Sequence, residues 1–209
     1  MKNWTEIICI LDRSGSMSGL ENDTIGGFNA FIERQRALEG RARLTLVLFD
    51  DAIEHVWKHV DVRKAPELDD KLYFPRGTTA LFDAVGKTVS EARGRIRAQH
   101  EDEQPNQVIV LVVTDGYENA SDEYTAGSTK ELVTKTQNEG WEYVFLGADI
   151  DAFSASQDLA IATGSASRVA KNTAGIREAY GKMNRAVTGY RRTGNKGDVD
   201  AKLHVQEQI

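Results

Sequence analysis

Cysteine and proline are nearly missing from this 209-residue chain, which has one of the first and three of the second. A single cysteine cannot close an internal disulfide, so no covalent staple is available to the fold. With so little proline, 18 glycines, 40% hydrophobic and 28% charged residues, collagen-like, coiled-coil and disordered classes are excluded. Long apolar runs are also missing. The stretch Ile7 to Leu11 is too short for a signal-peptide core and runs into Asp12, and no run approaches the roughly 20 residues of a membrane span. A soluble, cytoplasmic protein is expected. Positive charge is not in excess: 26 Lys and Arg against 32 Asp and Glu leave a net charge of −6. That balance argues against a nucleic-acid binder that works by neutralising phosphates, and leaves room for a cation. Arg191-Arg192 and the set Arg93, Arg95 and Arg97 fall in helical segments and read as solvated helix faces.

The length fits one domain, whose folding buries roughly 70% of the unfolded surface and needs no staple. We expect that domain over residues 1–192 and a mobile tail over 193–209, where Leu203 and Val205 are the residues able to dock. Glu6 to Leu11 is a continuous apolar run before a turn, the pattern of a fully buried parallel strand. Leu20 to Leu38 follows with helical spacing, and Ser18-Gly19-Leu20-Glu21 has the form of a capping box. Arg43 to Phe49 and Ile53 to Val62 read as a hairpin through Asp50-Asp51, with the alternating second arm at an edge. Leu81 to Ile96 reads as a helix, Val108 to Val113 as a second unbroken strand, Thr129 to Glu139 as a helix and Trp141 to Leu146 as a third strand. A short helical stretch, a strand near Arg168 to Ala170 and a last helix from Ile176 to Tyr190 complete the order. Strands alternating with helices imply an α/β fold: a doubly wound, mostly parallel sheet with one antiparallel edge strand and helices on both faces.

Ligands of such sheets bind at the carboxyl ends of the strands. Asp12-Arg13-Ser14-Gly15-Ser16 follows the first strand and Thr114-Asp115-Gly116 follows the strand at Val108 to Val113. If those strands are neighbours, two carboxylates and two hydroxyls converge in one crevice. Within the first motif, residues two apart can point the same way, and Gly15 lets the backbone bend between the serines. Asp12, Ser14 and Ser16 then offer hard oxygens, suited to Mg²⁺ or Mn²⁺ and poorly suited to Zn²⁺ or Cu²⁺. A set rich in neutral hydroxyls leaves cation charge uncompensated, so an Asp or Glu from a partner can complete the coordination.

These motifs resemble the von Willebrand factor type A domains, whose metal-ion-dependent adhesion site is written D-x-S-x-S, a threonine, and an aspartate in a T-D-G turn. Asp12, Ser14 and Ser16 match the first part and Asp115 the last. In Arg76-Gly77-Thr78-Thr79-Ala80-Leu81 either threonine is available, and the match to the family's position selects Thr78. The resemblance runs to Tyr190. It implies a Rossmann-like fold and a metal set of Asp12, Ser14, Ser16, Thr78 and Asp115 holding Mg²⁺ or Mn²⁺. The two aspartates would often act through water, while the serines, and Thr78 in the ligand-bound state, bind directly. It also implies a protein partner presenting Asp or Glu, with no nucleic acid and no membrane involved. Each motif taken alone also reads as a turn or a helix cap; that account leaves unexplained why all three fall on one edge of the sheet. Asp83, Glu118 and Asn119 read as surface or capping residues that are near enough to order water or touch a partner. Asp149 and Asp151 stand at the rim or cap a helix.

Enzymatic readings find little. Cys9 lies in an apolar strand and reads as a buried, inert thiol. His55 and His59 are four apart but in alternating strand sequence, and Val56 stands where a zinc-protease motif has Glu. No phosphate-binding glycine motif is present, and no histidine lies in a loop where it could serve Ser14 or Ser16 as a base. One alternative is Mg²⁺-assisted phosphoryl transfer with Asp12 as nucleophile, as in haloacid-dehalogenase-like phosphatases. Those carry a second Asp two residues on, and position 14 is Ser. The expectation is a binding module and not an enzyme.

Overall fold

The computed structural model describes residues 4–115, 117–147, 150–162, 165–168, 170–195 and 197, and only the backbone of 150–153. Nine consecutive buried residues form β1 (Trp4–Asp12), and an equally buried run forms β4 (Gln107–Thr114). Such runs have no polar face to give to water, so both strands lie inside the sheet. With β2 (Arg41–Phe49), β3 (Ile53–Asp61), β5 (Trp141–Gly147) and β6 (Ala166–Arg168), they make a six-stranded sheet in the order β3-β2-β1-β4-β5-β6. Every pair is parallel except β2 with β3, which is antiparallel and places β3 at an edge. This is the expected architecture.

The strands' alternation divides the core in two. Ile7, Cys9 and Leu11 face the layer built from α1 (Glu21–Arg36) and α5 (Thr173–Thr193), with Phe28, Phe31, Tyr180 and Met183 packed on them. Ile8 and Ile10 face α2 (Leu81–Arg97), α3 (Ala126–Asn138) and α4 (Ile150–Asp158), through Leu81, Val85, Val133 and Ala155. Gly27 of α1 lets Tyr180 of α5 approach so closely that a Cβ there would sit 2.3 Å from the ring. Among the described residues no helix is long and apolar enough to cross a membrane.

Several local readings are corrected. The capping box at Ser18 does not form: Gly15–Met17 makes a 3₁₀ turn, buried Met17 pins it to the core, and α1 starts after Leu20 with no side-chain cap. Glu21 and Asp23 complement the helix dipole there instead. α3 begins earlier than its apolar spacing indicates, because Thr125 and Ser128 cap each other reciprocally. α5 likewise begins at Thr173, where the Asn172 side chain accepts from the Gly175 amide. The last strand is Ala166–Arg168; Val169 lies outside the described residues, as do Gly116, Asp149, the Asp151 side chain and positions 198–209, including Leu203 and Val205.

The arginine-rich helix faces are not simply solvated. Arg191 is 4% exposed, burial brings its pKa down to about 10, and it donates to the Gln35 carbonyl and side chain, tying the end of α5 to the end of α1. Arg95 reaches down to the fully buried Glu6 of β1 at 2.8 Å. Arg93 pairs with Glu139, while Arg97 and Arg192 are exposed.

Candidate metal centre

The order of strands reverses between β1 and β4: the chain leaves β1 for β2 on one side and returns as β4 on the other. Loops leaving neighbouring strands on opposite faces open a crevice at their carboxyl ends. Register puts the two motifs side by side there, with Leu11 opposite Val113. The Thr114 hydroxyl donates to Asp12 Oδ2 at 2.5 Å and the Ser14 amide to Asp12 Oδ1 at 2.7 Å. The Ser14 and Ser16 hydroxyls are 2.9 Å apart, and Ser16 donates to Asp115 Oδ1 at 2.7 Å. Ser14, Ser16, Thr78 and Asp115 line one crevice of about 220 Å³, with Thr79 beside them. Thr78 is exposed to it, whereas Thr79 is buried with its amide donating to the Asn119 side chain.

Asp12 stands one layer behind. It is fully buried, and both of its oxygens accept hydrogen bonds. Burial pushes its carboxyl pKa up to about 6, against the pull of the hydrogen bonds from Thr114 and Ser14 and with a smaller push from the Asp115 charge. Asp115 differs, since its buried Oδ2 has no aligned hydrogen bond. It faces the Lys171 ammonium at 2.7 Å.

Three loops are stitched together around the crevice, in part by residues that also line it, Gly15, Gly77 and Asn119. The Gly15 amide donates to the Gly77 carbonyl and the Arg76 amide to that of Arg13, joining the serine loop to the threonine loop. Gly77 has φ of 63°, the left-handed region that favours glycine, and a Cβ there would also have to displace the Asp51 side chain. Asp50, at the end of β2, accepts from Arg13 Nε at 2.9 Å, Arg76 Nε at 2.7 Å and the Ala52 amide. Burial raises its carboxyl pKa, but these donors outweigh that and hold it low. Both guanidinium groups lie near the Phe74 ring, at 5.7 and 5.2 Å. On the other side, Glu118 accepts from the amide of Phe82 in the first turn of α2. Asp83 accepts from the amides of Asp122, Glu123 and Tyr124. Asp83 and Glu118 are therefore loop-fastening groups, while Asn119 both fastens the Thr79 amide and lines the crevice.

Lys171, Arg13, Asp50 and Arg76 were not singled out by their sequence positions. The rule that ligands gather at carboxyl ends of strands marks the loop after β6, and so Lys171, once that strand is placed. Cys9 is fully buried, and burial pushes its thiol pKa up. His55 and His59 point to different carboxylates, Glu91 and Glu6. Among the described residues no group of three or more His, Cys, Asp or Glu gathers for a metal. The crevice's donors are two carboxylates and hydroxyls, a set suited to a hard divalent ion.

No protein-family model matches the chain, and no curated protein matches it. Solved structures do. The vWF domain of the type V pili tip protein Mfa5 from Porphyromonas gingivalis is 12% identical over 90% of this chain and 96% of that one, with a TM-score of 0.63. The manganese-loaded Plasmodium vivax TRAP protein is 18% identical over 83% of this chain and 71% of its own, at 0.59. Proximal thread matrix protein 1 from the mussel byssus, with a zinc-occupied MIDAS motif, is 15% identical over 86% of this chain, at 0.56; the chain spans 44% of its length. Sheet order, the single antiparallel edge and these likenesses together establish that the chain has the von Willebrand factor type A fold.

Proposed function

We propose that the crevice is a metal-ion-dependent protein-binding site. It would hold one divalent cation, Mg²⁺ or Mn²⁺, through Ser14, Ser16, Thr78 and Asp115 in front and Asp12 behind. The observation that carries this reading is the convergence of those five residues, from three separate loops, at the point where strand order reverses. Asp115 Oδ2 is buried, makes no aligned hydrogen bond and already faces a cation, the Lys171 ammonium at 2.7 Å, which supports this corner of the crevice as a place where positive charge is held. Two solved structures of the same fold carry metal by name, manganese in one and zinc in the other, which supports a divalent ion here.

When bound, the ion supplies an open coordination position to an outside carboxylate. The chain's own work is to present neutral hydroxyls, which leave that charge uncompensated, and to fix them with Asp12, whose Oδ1 holds the Ser14 amide. The partner is accordingly a protein presenting Asp or Glu. Phosphoryl transfer would need an Asp12 oxygen open to substrate, and both are buried and hydrogen-bonded.

The test is calorimetric titration of chelator-treated protein with Mg²⁺ and Mn²⁺, beside Asp12→Ala and the pair Ser14→Ala with Ser16→Ala. One saturable site in the wild type, lost in folded variants, is expected. A folded wild type that binds neither ion, with or without acetate, overturns the reading.

A further inference from the structure

Among the described residues, Lys171 is the one lining the crevice that brings a positive charge into it. Its ammonium lies 2.7 Å from Asp115 Oδ2, while Ser16 occupies the other oxygen. The backbone that carries it is held in place. The Asn172 amide donates to the Ala170 carbonyl at 2.8 Å, and Gly175 packs so closely that a Cβ would sit 2.0 Å from that same oxygen. The side chain is 46% exposed and reaches Asp115 without an aligned hydrogen bond. It has a fixed root and a head free to leave toward water.

Charge arithmetic gives this lysine two opposite effects. Without metal, two carboxylates and one ammonium leave the crevice at −1. With a dication they leave it at +1, whereas the same loaded crevice without Lys171 would be neutral. Resting on the metal-site reading above, we propose that Lys171 is a built-in cation of the crevice. It competes with the metal for Asp115 and, once the metal is bound, adds the positive charge that draws a partner's carboxylate.

The two effects have opposite signs, which separates them from a merely structural role. The experiment measures Mn²⁺ dissociation constants for the chelator-treated full chain, by calorimetry and by loss of the free-ion electron paramagnetic resonance signal. Wild type, Lys171→Met and Lys171→Arg are compared at one ionic strength, in chloride and in acetate. In chloride, Lys171→Met binds Mn²⁺ about tenfold tighter, since a repelling unit charge beside a dication is gone. Lys171→Arg, which keeps the charge, stays within about threefold of wild type. Acetate tightens Mn²⁺ binding to wild type and Lys171→Arg by a larger factor than to Lys171→Met.

Binding by Lys171→Met that equals or falls below wild type in chloride overturns the competition. An equal acetate effect in all three overturns the role toward the partner. Absence of saturable binding in every folded protein, in both anions, overturns the metal site itself and this inference with it.

Discussion

Replacing Asp12 by Asn should stabilise the metal-free protein, although it deletes a residue of the proposed metal site. The carboxyl's pKa is about 6 in the fold against an ordinary 3.8. Its ionised form is therefore disfavoured by folding. A raised acid costs stability above its folded pKa, and the cost fades as pH falls toward the unfolded value. At 1.36 kcal/mol per pKa unit, ionised Asp12 costs about 3 kcal/mol at pH 7, roughly half that at pH 5 and little at pH 4. Asparagine can keep both local contacts: its Oδ1 accepts from the Ser14 amide, and its Nδ2 donates to the Thr114 hydroxyl once that hydroxyl turns. It also removes the repulsion with Asp115.

Urea denaturation followed by tryptophan fluorescence, in chelator, at pH 7, 5 and 4, measures the difference between wild type and Asp12→Asn. Carboxylates elsewhere titrate in both proteins and cancel, so the difference isolates position 12. Asp12→Asn should be more stable by about 1–3 kcal/mol at pH 7, with the gap closing toward pH 4. Addition of Mg²⁺ should raise the stability of the wild type alone, by mass action on the folded state. A variant less stable than wild type at pH 7, or a gap that does not change with pH, refutes the argument that burial governs this carboxyl.

Gly27→Ala should cost about 1–3 kcal/mol by overpacking, because its Cβ would lie 2.3 Å from the Tyr180 ring between α1 and α5. The neighbouring Gly26→Ala, with nothing within 4 Å, should instead be neutral or stabilise by up to about 1 kcal/mol; urea midpoints of the two decide. For Asp83, burial raises the carboxyl pKa, but the amides of Tyr124, Asp122 and Glu123 outweigh that and hold it below 3.8. Its contribution is present above that value and disappears as pH falls through the lower folded one. Asp83→Asn should therefore be less stable than wild type at pH 7 by about 1–2 kcal/mol, with the two converging as pH falls through the lowered folded pKa in the same denaturation assay.

The central strands were legible because burial on both faces leaves one sequence signature, an unbroken apolar run; EIICIL and VIVLVV announce β1 and β4 with only their end residues missing. Helix starts were less legible, since they are set by capping geometry and not by apolar spacing. Ser18-Gly19-Leu20-Glu21 has the letters of a capping box, but the preceding turn is committed to presenting Ser14 and Ser16, and helix α1 begins without it. Four of the five candidate ligands could be named because their motifs end or directly follow β1 and β4, which register then aligns, whereas Thr78, in the long loop before α2, was selected only by the resemblance to the family's pattern. Lys171 could not, because its partner Asp115 is remote in sequence and no motif surrounds it. Arg191 reads like any arginine at a helix end, and only the packing of α5 against α1 buries it.

The charges behind the crevice tie its loops together through groups that are not among the proposed ligands. Arg13 occupies the first free position of the D-x-S-x-S motif, where a small polar residue would satisfy the turn equally well. Here it is buried, pairs with Asp50 and Glu54, and shares Asp50 with Arg76 of the threonine loop. The serine loop, the threonine loop and the hairpin end are thus tied through a single carboxylate that stays ionised at neutral pH. That network contains none of the proposed ligands, so it persists whether or not a cation is present. Cutting it, as in Asp50→Asn, would leave Arg13 buried beside a weaker partner and loosen both loops at once. On the proposed metal reading, loading would then need no assembly of the loops: it would need displacement of Lys171 from Asp115 and a turn of the Ser14 and Ser16 hydroxyls away from each other, changes of side chains over a backbone already in place.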